Sequence, residues 1–529
     1  MKILNDIKLP LLILTASGAA AVCLLPFFPV DETRYLAVAW EMKLNHSIVP
    51  LLNGSPYSHK PPFLFLLINL DWLIFGVNEK TLRFIPVLFS ALNIFMTRKI
   101  ALALWKDEKI AGYATTILAS TLIYLVWSIL IMFDIVLTFF VLVGIYGLLS
   151  AASGNVKTAL CLVPLSIGGG LLTKGPVVFA YILPISILYF TWKPENGLKT
   201  SRWYLMMLGS VFIGAAIALL WAIPAAMRGG EAYRQSILWG QTVGRLVSSF
   251  AHRHPVWWYI PMLSGLLFPW ILVKPTWRGF SMIQHNKSYR FLAVWMLATI
   301  IIFSLISGKQ IHYLIPMLPA ASLLIAKNIA GFGAKISENA KLHYPVAIFY
   351  TMLGGLILGA PFIKTSGNLG DIPFGVAVMP AAAFLCLGGM LFFAKPLSLD
   401  TLMKTLAVSS LAVLIVAIGF VGSTKFGNRY DLSHLARMLN EKQKEGYHLV
   451  HYGEYHGQYQ FLGRLTQPLI VLKNKASVDA YLNSHQHVLL IARDKHKKII
   501  NKNNIIYQQR YRGGKVIVME FSDKIQLSG

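Results

Sequence analysis

Long apolar runs, separated by proline, glycine and charged residues, follow one another along most of the chain. A helix needs about 20 apolar residues to cross a bilayer. On this pattern we predict about 13 membrane-spanning helices. They lie near residues 9–29, 81–104, 110–127, 133–152, 158–173, 176–192, 203–225, 257–273, 291–306, 311–327, 343–363, 374–394 and 402–422. The apolar run at 63–75 is too short to cross, so it predicts a helix lying at the membrane interface.

The pattern changes near residue 423, where charges and turn residues become frequent and short β-rich runs appear. The predicted fold class is therefore an all-α polytopic membrane protein with a small C-terminal soluble α/β domain. We predict a transmembrane domain at 1–422, with loops and interfacial helices at 31–80 and 226–256. The soluble domain is predicted at 423–529.

Composition agrees with this interpretation, because 56% of the residues are hydrophobic and only 13% are charged. The formal net charge is +26, but the lysines and arginines occupy alternate short loops, which is typical of cytoplasmic loops rather than of nucleic-acid binding. This distribution predicts a cytoplasmic amino terminus, and the odd number of spans then places the carboxyl terminus on the outer side of the membrane. The three cysteines lie in apolar runs, which excludes a disulfide framework or a CxxC metal site.

The predicted orientation places ionisable residues from several separate loops on the non-cytoplasmic side. Such residues are costly at membrane depth, so they predict a functional site. Cations bind phosphate and stabilise a phosphate leaving group, while a carboxylate positions or deprotonates a nucleophile. The pattern therefore predicts phosphate chemistry at the outer boundary of the membrane. The candidate residues are Asp31, Glu32, Arg34, His59, Lys60, Asp134, Lys174, Arg245, His252, Arg253, His254, Lys309, His312 and Tyr313.

Each motif also has a structural explanation. Asp31 and Glu32 suit a solvated helix N-terminus, where acids complement the helix dipole. Asp134 is equally consistent with a residue that is hydrogen-bonded to a neighbouring helix. His59 and Lys60 are stronger candidates, because Asn-Gly and Pro-Pro turns on either side stiffen their loop.

Taken together, these motifs resemble the bacterial 4-amino-4-deoxy-L-arabinose lipid A transferase family. That family belongs to the GT-C class of glycosyltransferases and is related to the protein O-mannosyltransferases. The resemblance covers the first 320 residues, in the correct order. The motifs that carry it are Asp31–Met42, Val49–Tyr57, His59–Pro62, Asp134, Leu172–Gly175, His252–Pro261 and Ser307–Pro319.

The resemblance implies a GT-C fold and inverting transfer of a sugar from undecaprenyl phosphate to lipid A. The sugar is expected to be 4-amino-4-deoxy-L-arabinose or a related amino sugar, and the reaction to occur on the periplasmic face of the inner membrane. Asp31 is expected to be the catalytic carboxylate, with Glu32 and Asp134 as further acidic residues. Residues expected to bind the substrate or its phosphate are Arg34, Lys60, Lys174, Arg245, Arg253, Lys309 and Tyr313.

Members of the family can also hold a divalent cation, such as zinc, between an acidic residue of a Glu-Lys-Pro motif and a later histidine. Here the motif is His59-Lys60-Pro61, and histidine is itself a zinc ligand. The candidate metal ligands are therefore His59 and His252, and no nucleotide cofactor is expected.

Two other functions remain open at the level of sequence. The acceptor of the sugar could be a protein or another glycan, since no motif names it. A lipid or sugar transporter is the alternative from another class, but it predicts midplane sites and internal repeats, and the sequence contains no evident repeat. The C-terminal domain is expected to brace the reactive face of the protein rather than to bind lipid headgroups.

Overall fold

The computed structural model describes residues 2–237, 254–277, 280–333, 341–362, 374–423 and 427–522. Most of these residues are helical. The α-helices described are α1 Lys2–Leu24, α2 Asp31–Leu44, α3 Phe63–Phe75, α4 Phe84–Trp105, α5 Glu108–Ser120, α6 Leu122–Trp127, α7 Phe133–Ala152, α8 Val156–Lys174, α9 Val178–Ile187, α10 Tyr189–Trp192, α11 Thr200–Arg228, α12 Glu231–Gln235, α13 Tyr259–Leu266, α14 Lys287–Leu305, α15 Leu318–Gly333, α16 Tyr344–Gly359, α17 Phe374–Phe392, α18 Leu399–Ser423, α19 Ser433–Lys444 and α20 Lys475–Ser484.

The strands are short and lie in two sheets. Their bounds are β1 Leu51–Leu52, β2 Ser55–Pro56, β3 His448–Tyr452, β4 Ile470–Leu472, β5 Val488–Arg493, β6 Ile505–Tyr511 and β7 Gly514–Phe521.

The chain divides into two compact units. The helical unit comprises Met1–Cys23, Ser58–Leu64 and Val77–Ile418. The C-terminal unit comprises Leu24–Tyr57, Phe65–Gly76 and Gly419–Gly529.

Nine helical segments of the described chain are long and apolar enough to cross a membrane, which agrees with the predicted polytopic fold. They correspond to ten of the 13 predicted runs, because 158–173 and 176–192 lie in one apolar segment, Val156–Ile187. Two of the other three runs differ because their helices are interrupted. Thr121 separates α5 from α6, and the run at 257–273 is divided among α13 and short 3₁₀ turns. The third run, 374–394, contains the 19-residue helix α17.

The helices α7 and α8 form a tightly packed hairpin that positions the candidate site. The side chain of Asn155 caps α8 by accepting a hydrogen bond from the Thr158 amide at 3.2 Å. Gly169 allows the helices to approach closely, since a Cβ at this position would lie 2.1 Å from the Phe140 ring. Small residues at such contacts let helix backbones pack closely within a membrane. The start of α7 and the end of α8 therefore lie at the same end of the hairpin.

The C-terminal unit contains the five-stranded sheet, in the order β4-β3-β5-β7-β6. The strands β4, β3 and β5 are parallel, whereas β7 is antiparallel to β5 and to β6. Val450, Leu490 and Met519 lie in its core, and α20 packs on them through Val478. The predicted small α/β domain is confirmed. The sequence pattern did not indicate strand β6, because three of its seven residues, Gln508, Gln509 and Arg510, are polar and consecutive.

The C-terminal unit also takes in α2, the β1-β2 hairpin and most of α3. The sequence pattern alone assigns these first-loop elements to the transmembrane domain. They join the C-terminal unit because long-range contacts attach them to it, such as the hydrogen bond from the Trp40 indole to the Leu465 carbonyl oxygen at 2.9 Å. The boundary at residue 423 between two functional domains stays a prediction.

Candidate functional site

A buried ion pair joins the ends of α7 and α8. The Lys174 ammonium donates to the Asp134 carboxylate at 2.5 Å, and the two side chains are 7% and 2% exposed. Asp134 lies in the first turn of α7 and Lys174 in the last turn of α8, so each charge complements the dipole of its helix. The sequence predicts that both residues lie on the non-cytoplasmic side of the membrane, and the ion pair places them next to each other.

Aromatic and basic side chains surround this pair. The Lys174 ammonium lies 4.8 Å from the centroid of the Tyr313 ring, a cation–π distance. His312, Lys174 and Lys60 all act electrostatically on the Asp134 carboxylate. The structure therefore brings together Lys60, Asp134, Lys174 and Tyr313, which are four of the predicted site residues from distant parts of the sequence.

The loop that carries Lys60 is held from two directions. The Lys60 ammonium lies 5.8 Å from the centroid of the Phe133 ring, at the start of α7. The Ser236 hydroxyl, just after α12, donates to the Ser58 hydroxyl at 2.8 Å. The first loop and the segment after α11 therefore lie on the same side of the helical unit.

Lys309 has a different environment from Lys174. Its side chain is 3% exposed, and its ammonium donates to the backbone carbonyls of His254 at 3.0 Å and Ile306 at 2.7 Å. Burial lowers the pKa of Lys309. Nearby, the Tyr259 hydroxyl accepts from the Gln310 amide at 3.2 Å and donates to the Gln310 carbonyl at 3.0 Å. Lys309 thus links the backbone at His254 to the backbone at Ile306 by hydrogen bonds. Its contact with phosphate stays a prediction.

The C-terminal unit carries the predicted acidic motif of the first loop. Asp31 begins α2, forms an ion pair with Arg34 and accepts a hydrogen bond from the Tyr35 hydroxyl at 3.5 Å. Its side chain is 52% exposed. Glu32 is buried and accepts a hydrogen bond from the Phe28 amide at 2.9 Å. Asp31 is thus the more accessible carboxylate of the pair. The prediction that it shares one pocket with Asp134 stays a prediction.

Of the two predicted metal ligands, His59 lies among the described residues and His252 does not. Arg245, His252 and Arg253 lie outside the described residues. Within the described ranges, no group of three or more His, Cys, Asp or Glu side chains could hold a metal ion. The prediction that His59 and His252 bind a divalent cation therefore stays untested.

Some neighbours of the site were not singled out from the sequence. The Tyr181 hydroxyl donates to the Tyr313 carbonyl at 2.8 Å, and the Trp127 ring lies 6.0 Å from the His312 ring. Tyr181 and Trp127 occur within apolar runs, where an aromatic residue resembles any other core residue. For Tyr181 the available sequence signal was the ring hydroxyl, which usually finds a hydrogen-bond partner when it is buried.

Comparison with known proteins supports the resemblance. Residues 30–229 match the family described as dolichyl-phosphate-mannose-protein mannosyltransferase. The chain is 28% identical over 324 residues to the undecaprenyl phosphate-alpha-4-amino-4-deoxy-L-arabinose arabinosyl transferase of Pectobacterium atrosepticum, over 58% of this chain and 56% of that protein. It is 29% identical over 343 residues to the Pseudomonas aeruginosa protein of the same name, over 60% of this chain and 59% of that protein. These matches span less than two thirds of the relatives' own lengths.

Solved structures extend the likeness to nearly the whole chain. The crystal structure of ArnT from Cupriavidus metallidurans bound to undecaprenyl phosphate superposes with a TM-score of 0.76 and 15% identity, over 98% of both chains. The apo structure of the same protein gives a TM-score of 0.76 and 16% identity, over 97% of both. At this identity the likeness shows the fold. The GT-C fold and the resemblance to the aminoarabinose transferases are both confirmed.

Proposed function

We propose that this protein is an inverting glycosyltransferase that moves 4-amino-4-deoxy-L-arabinose, or a related amino sugar, from undecaprenyl phosphate to lipid A. The observation that carries the proposal is the group formed by Lys60, Asp134, Lys174 and Tyr313 at one end of the α7–α8 hairpin. Relatives named for this reaction match 58% and 60% of this chain, and the range 30–229 that matches the mannosyltransferase family contains Lys60, Asp134 and Lys174.

In the proposed reaction, an oxygen of the acceptor attacks the anomeric carbon of the sugar. The bond from that carbon to the carrier phosphate breaks, and its electron pair leaves on the phosphate oxygen. Lys60 stabilises this developing negative charge, the Tyr313 hydroxyl is a further donor to it, and the buried Lys174 holds Asp134 beside them. Stabilisation of charge that appears only in the transition state accelerates the reaction.

Asp31 is proposed to orient the acceptor. A lipid A phosphate oxygen is already anionic, so Asp31 does not need to remove a proton from it. With a hydroxyl acceptor, the same carboxylate would take the proton as a general base. The exposure of Asp31 supports this role, because a buried carboxylate could not reach a lipid acceptor.

The location proposed is the bacterial inner membrane, with the amino terminus in the cytoplasm and the C-terminal domain in the periplasm. The alternation of basic loops along the sequence supports this orientation. A divalent cation bound by His59 and His252 is a separate proposal. Its charge would add to the stabilisation of the leaving phosphate, and metal content and activity after dialysis against EDTA test it.

The proposed function is tested by mass spectrometry of lipid A from a deletion strain that carries the wild-type gene, the Asp31→Asn variant or the Asp479→Asn variant. Asp479 is a surface residue that pairs with Lys475, so it serves as the matched control. We expect an aminoarabinose adduct with the wild type and with Asp479→Asn, and none with Asp31→Asn. Unmodified lipid A with the wild type, together with a new glycosylated protein or glycan, would point to the other acceptors.

A transporter is less consistent with the geometry. The ionisable group lies at one end of the α7–α8 hairpin, whereas transporter sites lie near the membrane midplane. Gradient-dependent uptake of the lipid or sugar into vesicles, without any glycosylated product, would favour the transporter instead.

A further inference from the structure

The helix α2, which carries Asp31 and Arg34, is unusually well covered for an amphipathic first-loop helix. Ten of its 14 residues are buried, among them Glu32 and Glu41. An interfacial helix would keep such carboxylates in water. Part of this cover comes from the C-terminal segment Gly453–Leu469, which follows strand β3 and belongs to the same compact unit.

The far end of α2 is held by aromatic packing and one long-range hydrogen bond. The Trp40 indole donates to the Leu465 carbonyl at 2.9 Å. The Phe461 ring lies edge-on to the Trp40 ring with centroids 6.2 Å apart, and it stacks on Trp72 of α3 with centroids 4.8 Å apart. These contacts fix the carboxyl-terminal half of α2, about two turns from Asp31.

The β1-β2 turn links α2 to the same C-terminal segment. The Glu41 carboxylate accepts from the amides of Asn53 at 2.6 Å and Gly54 at 2.8 Å. The Asn53 side chain in turn donates to the Leu469 carbonyl at 2.9 Å and accepts from the Leu469 amide at 2.8 Å. The hairpin therefore connects the helix to the sheet domain through buried or partly buried polar groups.

Near its amino-terminal end, α2 packs against the backbone of Gly457. This glycine has φ +78°, and a Cβ on it would lie 2.8 Å from the Ala37 Cβ and 2.7 Å from Leu52 Cδ1. The Leu52 methyl can move, but the Ala37 Cβ is fixed to the helix. Arg34 is one turn from Ala37, and its Cα would lie 3.9 Å from the same Cβ. The backbone of Gly457 thus lies directly against the part of α2 that carries the Asp31–Arg34 pair.

From this packing we propose that Gly457 is a positioning residue for the sugar-transfer reaction. Because Gly457 has no side chain, α2 can pack directly on its backbone, and this contact determines the position of the Asp31 end of the helix. The inference rests on the proposed function, since it concerns the placement of Asp31. A misplacement of a reacting group by about 1 Å can lower a rate by about 100-fold. A methyl group at position 457 must move α2 or the loop by a comparable distance.

Gly457→Ala tests the proposal against a control that carries the same backbone strain. Gly446, in the turn before β3, has φ +89°, and a Cβ there would have no neighbouring atom within 4 Å, so Gly446→Ala adds left-handed strain without a collision. We expect Gly457→Ala to lower kcat for transfer to lipid A by at least about tenfold relative to Gly446→Ala, with the KM for the lipid-linked donor changed by less than about threefold. Thermal unfolding of both purified full-length proteins compares their stability.

A compensating change makes the test specific. Ala37→Gly removes the methyl that the new side chain would meet, so Gly457→Ala with Ala37→Gly should recover most of the lost kcat. Should Gly457→Ala fail to accumulate, Ala37→Val introduces the crowding from the helix side and should give the same loss of kcat. Activity of Gly457→Ala equal to that of Gly446→Ala, or a loss that Ala37→Gly does not reverse, would overturn the positioning role alone. An inactive wild-type protein would instead overturn the proposed function, and the positioning role with it.

Discussion

Lys174 and Asp134 form a buried ion pair whose members depend on each other. Removing one partner of such a pair leaves an uncompensated buried charge, which costs about 3–5 kcal/mol. We therefore expect Lys174→Met to lower the thermal unfolding midpoint more than the double variant Asp134→Asn with Lys174→Met. Thermal unfolding in detergent measures both. Equal midpoints for the single and double variants would show that the pair is not coupled in this way.

Lys60 is the cation of the group that lies on a loop, where it can meet a ligand. If it binds the carrier phosphate, Lys60→Ala should raise the KM for the lipid-linked donor by about tenfold, which corresponds to about 1.4 kcal/mol. The kcat of the variant should fall by a smaller factor than the KM rises. Lys80→Ala removes an exposed lysine further along the chain and is the matched control. An unchanged donor KM in Lys60→Ala would contradict the phosphate contact.

The strand β3 carries the clearest pH-sensitive residue of the sheet domain. Burial is the main cause that lowers the pKa of His451 to about 4; a hydrogen bond with Gly453 opposes it, and the neighbouring His456, His496 and Arg493 add to it. Between about pH 6.5 and 4 the unfolded chain binds the proton and the folded domain does not. Stability is therefore fully present above about pH 6.5 and is lost as the pH falls towards 4.

The His451→Gln variant should lose most of this pH dependence. For the wild type, the shift predicts a loss of roughly 3 kcal/mol over that window. The control is His487→Asn, at an exposed position whose φ of +54° asparagine tolerates. Thermal unfolding from pH 7 to pH 4 measures the three proteins. Parallel curves for the wild type and His451→Gln would contradict this account.

Among the helices and strands, the sequence predicted those features that depend on local residue patterns. The apolar runs located α7 and α8, and the charges at their ends marked Asp134 and Lys174 as candidate residues of one site. The burial of α2 by the C-terminal segment could not be predicted from local patterns, because Trp40 and Leu465 are 425 positions apart in the sequence. The contact between Gly457 and α2 could not be predicted for the same reason. A close approach at a loop glycine can be recognised only when the residues packed against it are known.

The whole molecule must be oriented in one way for the proposed chemistry to reach the periplasm. The helix α7 has 20 residues, so its ends are about 30 Å apart, enough to cross the hydrocarbon core. Asp134 and Lys60 lie at one end, and Lys157 lies just after the turn at the other. The hydrogen bond between Ser58 and Ser236 places α12 at the Lys60 end.

This arrangement predicts the outcome of cysteine labelling in spheroplasts. The background protein has its three native cysteines, which are all exposed on the protein surface, replaced by alanine. A membrane-impermeant maleimide should label Lys80→Cys and Glu231→Cys in intact spheroplasts, because both positions are exposed and lie next to segments at the Lys60 end. Lys157→Cys should react only after the membrane is permeabilised. Labelling of Lys80→Cys and Glu231→Cys from opposite sides would separate the first loop from α12, and phosphate chemistry built on both could not occur at one face of the membrane.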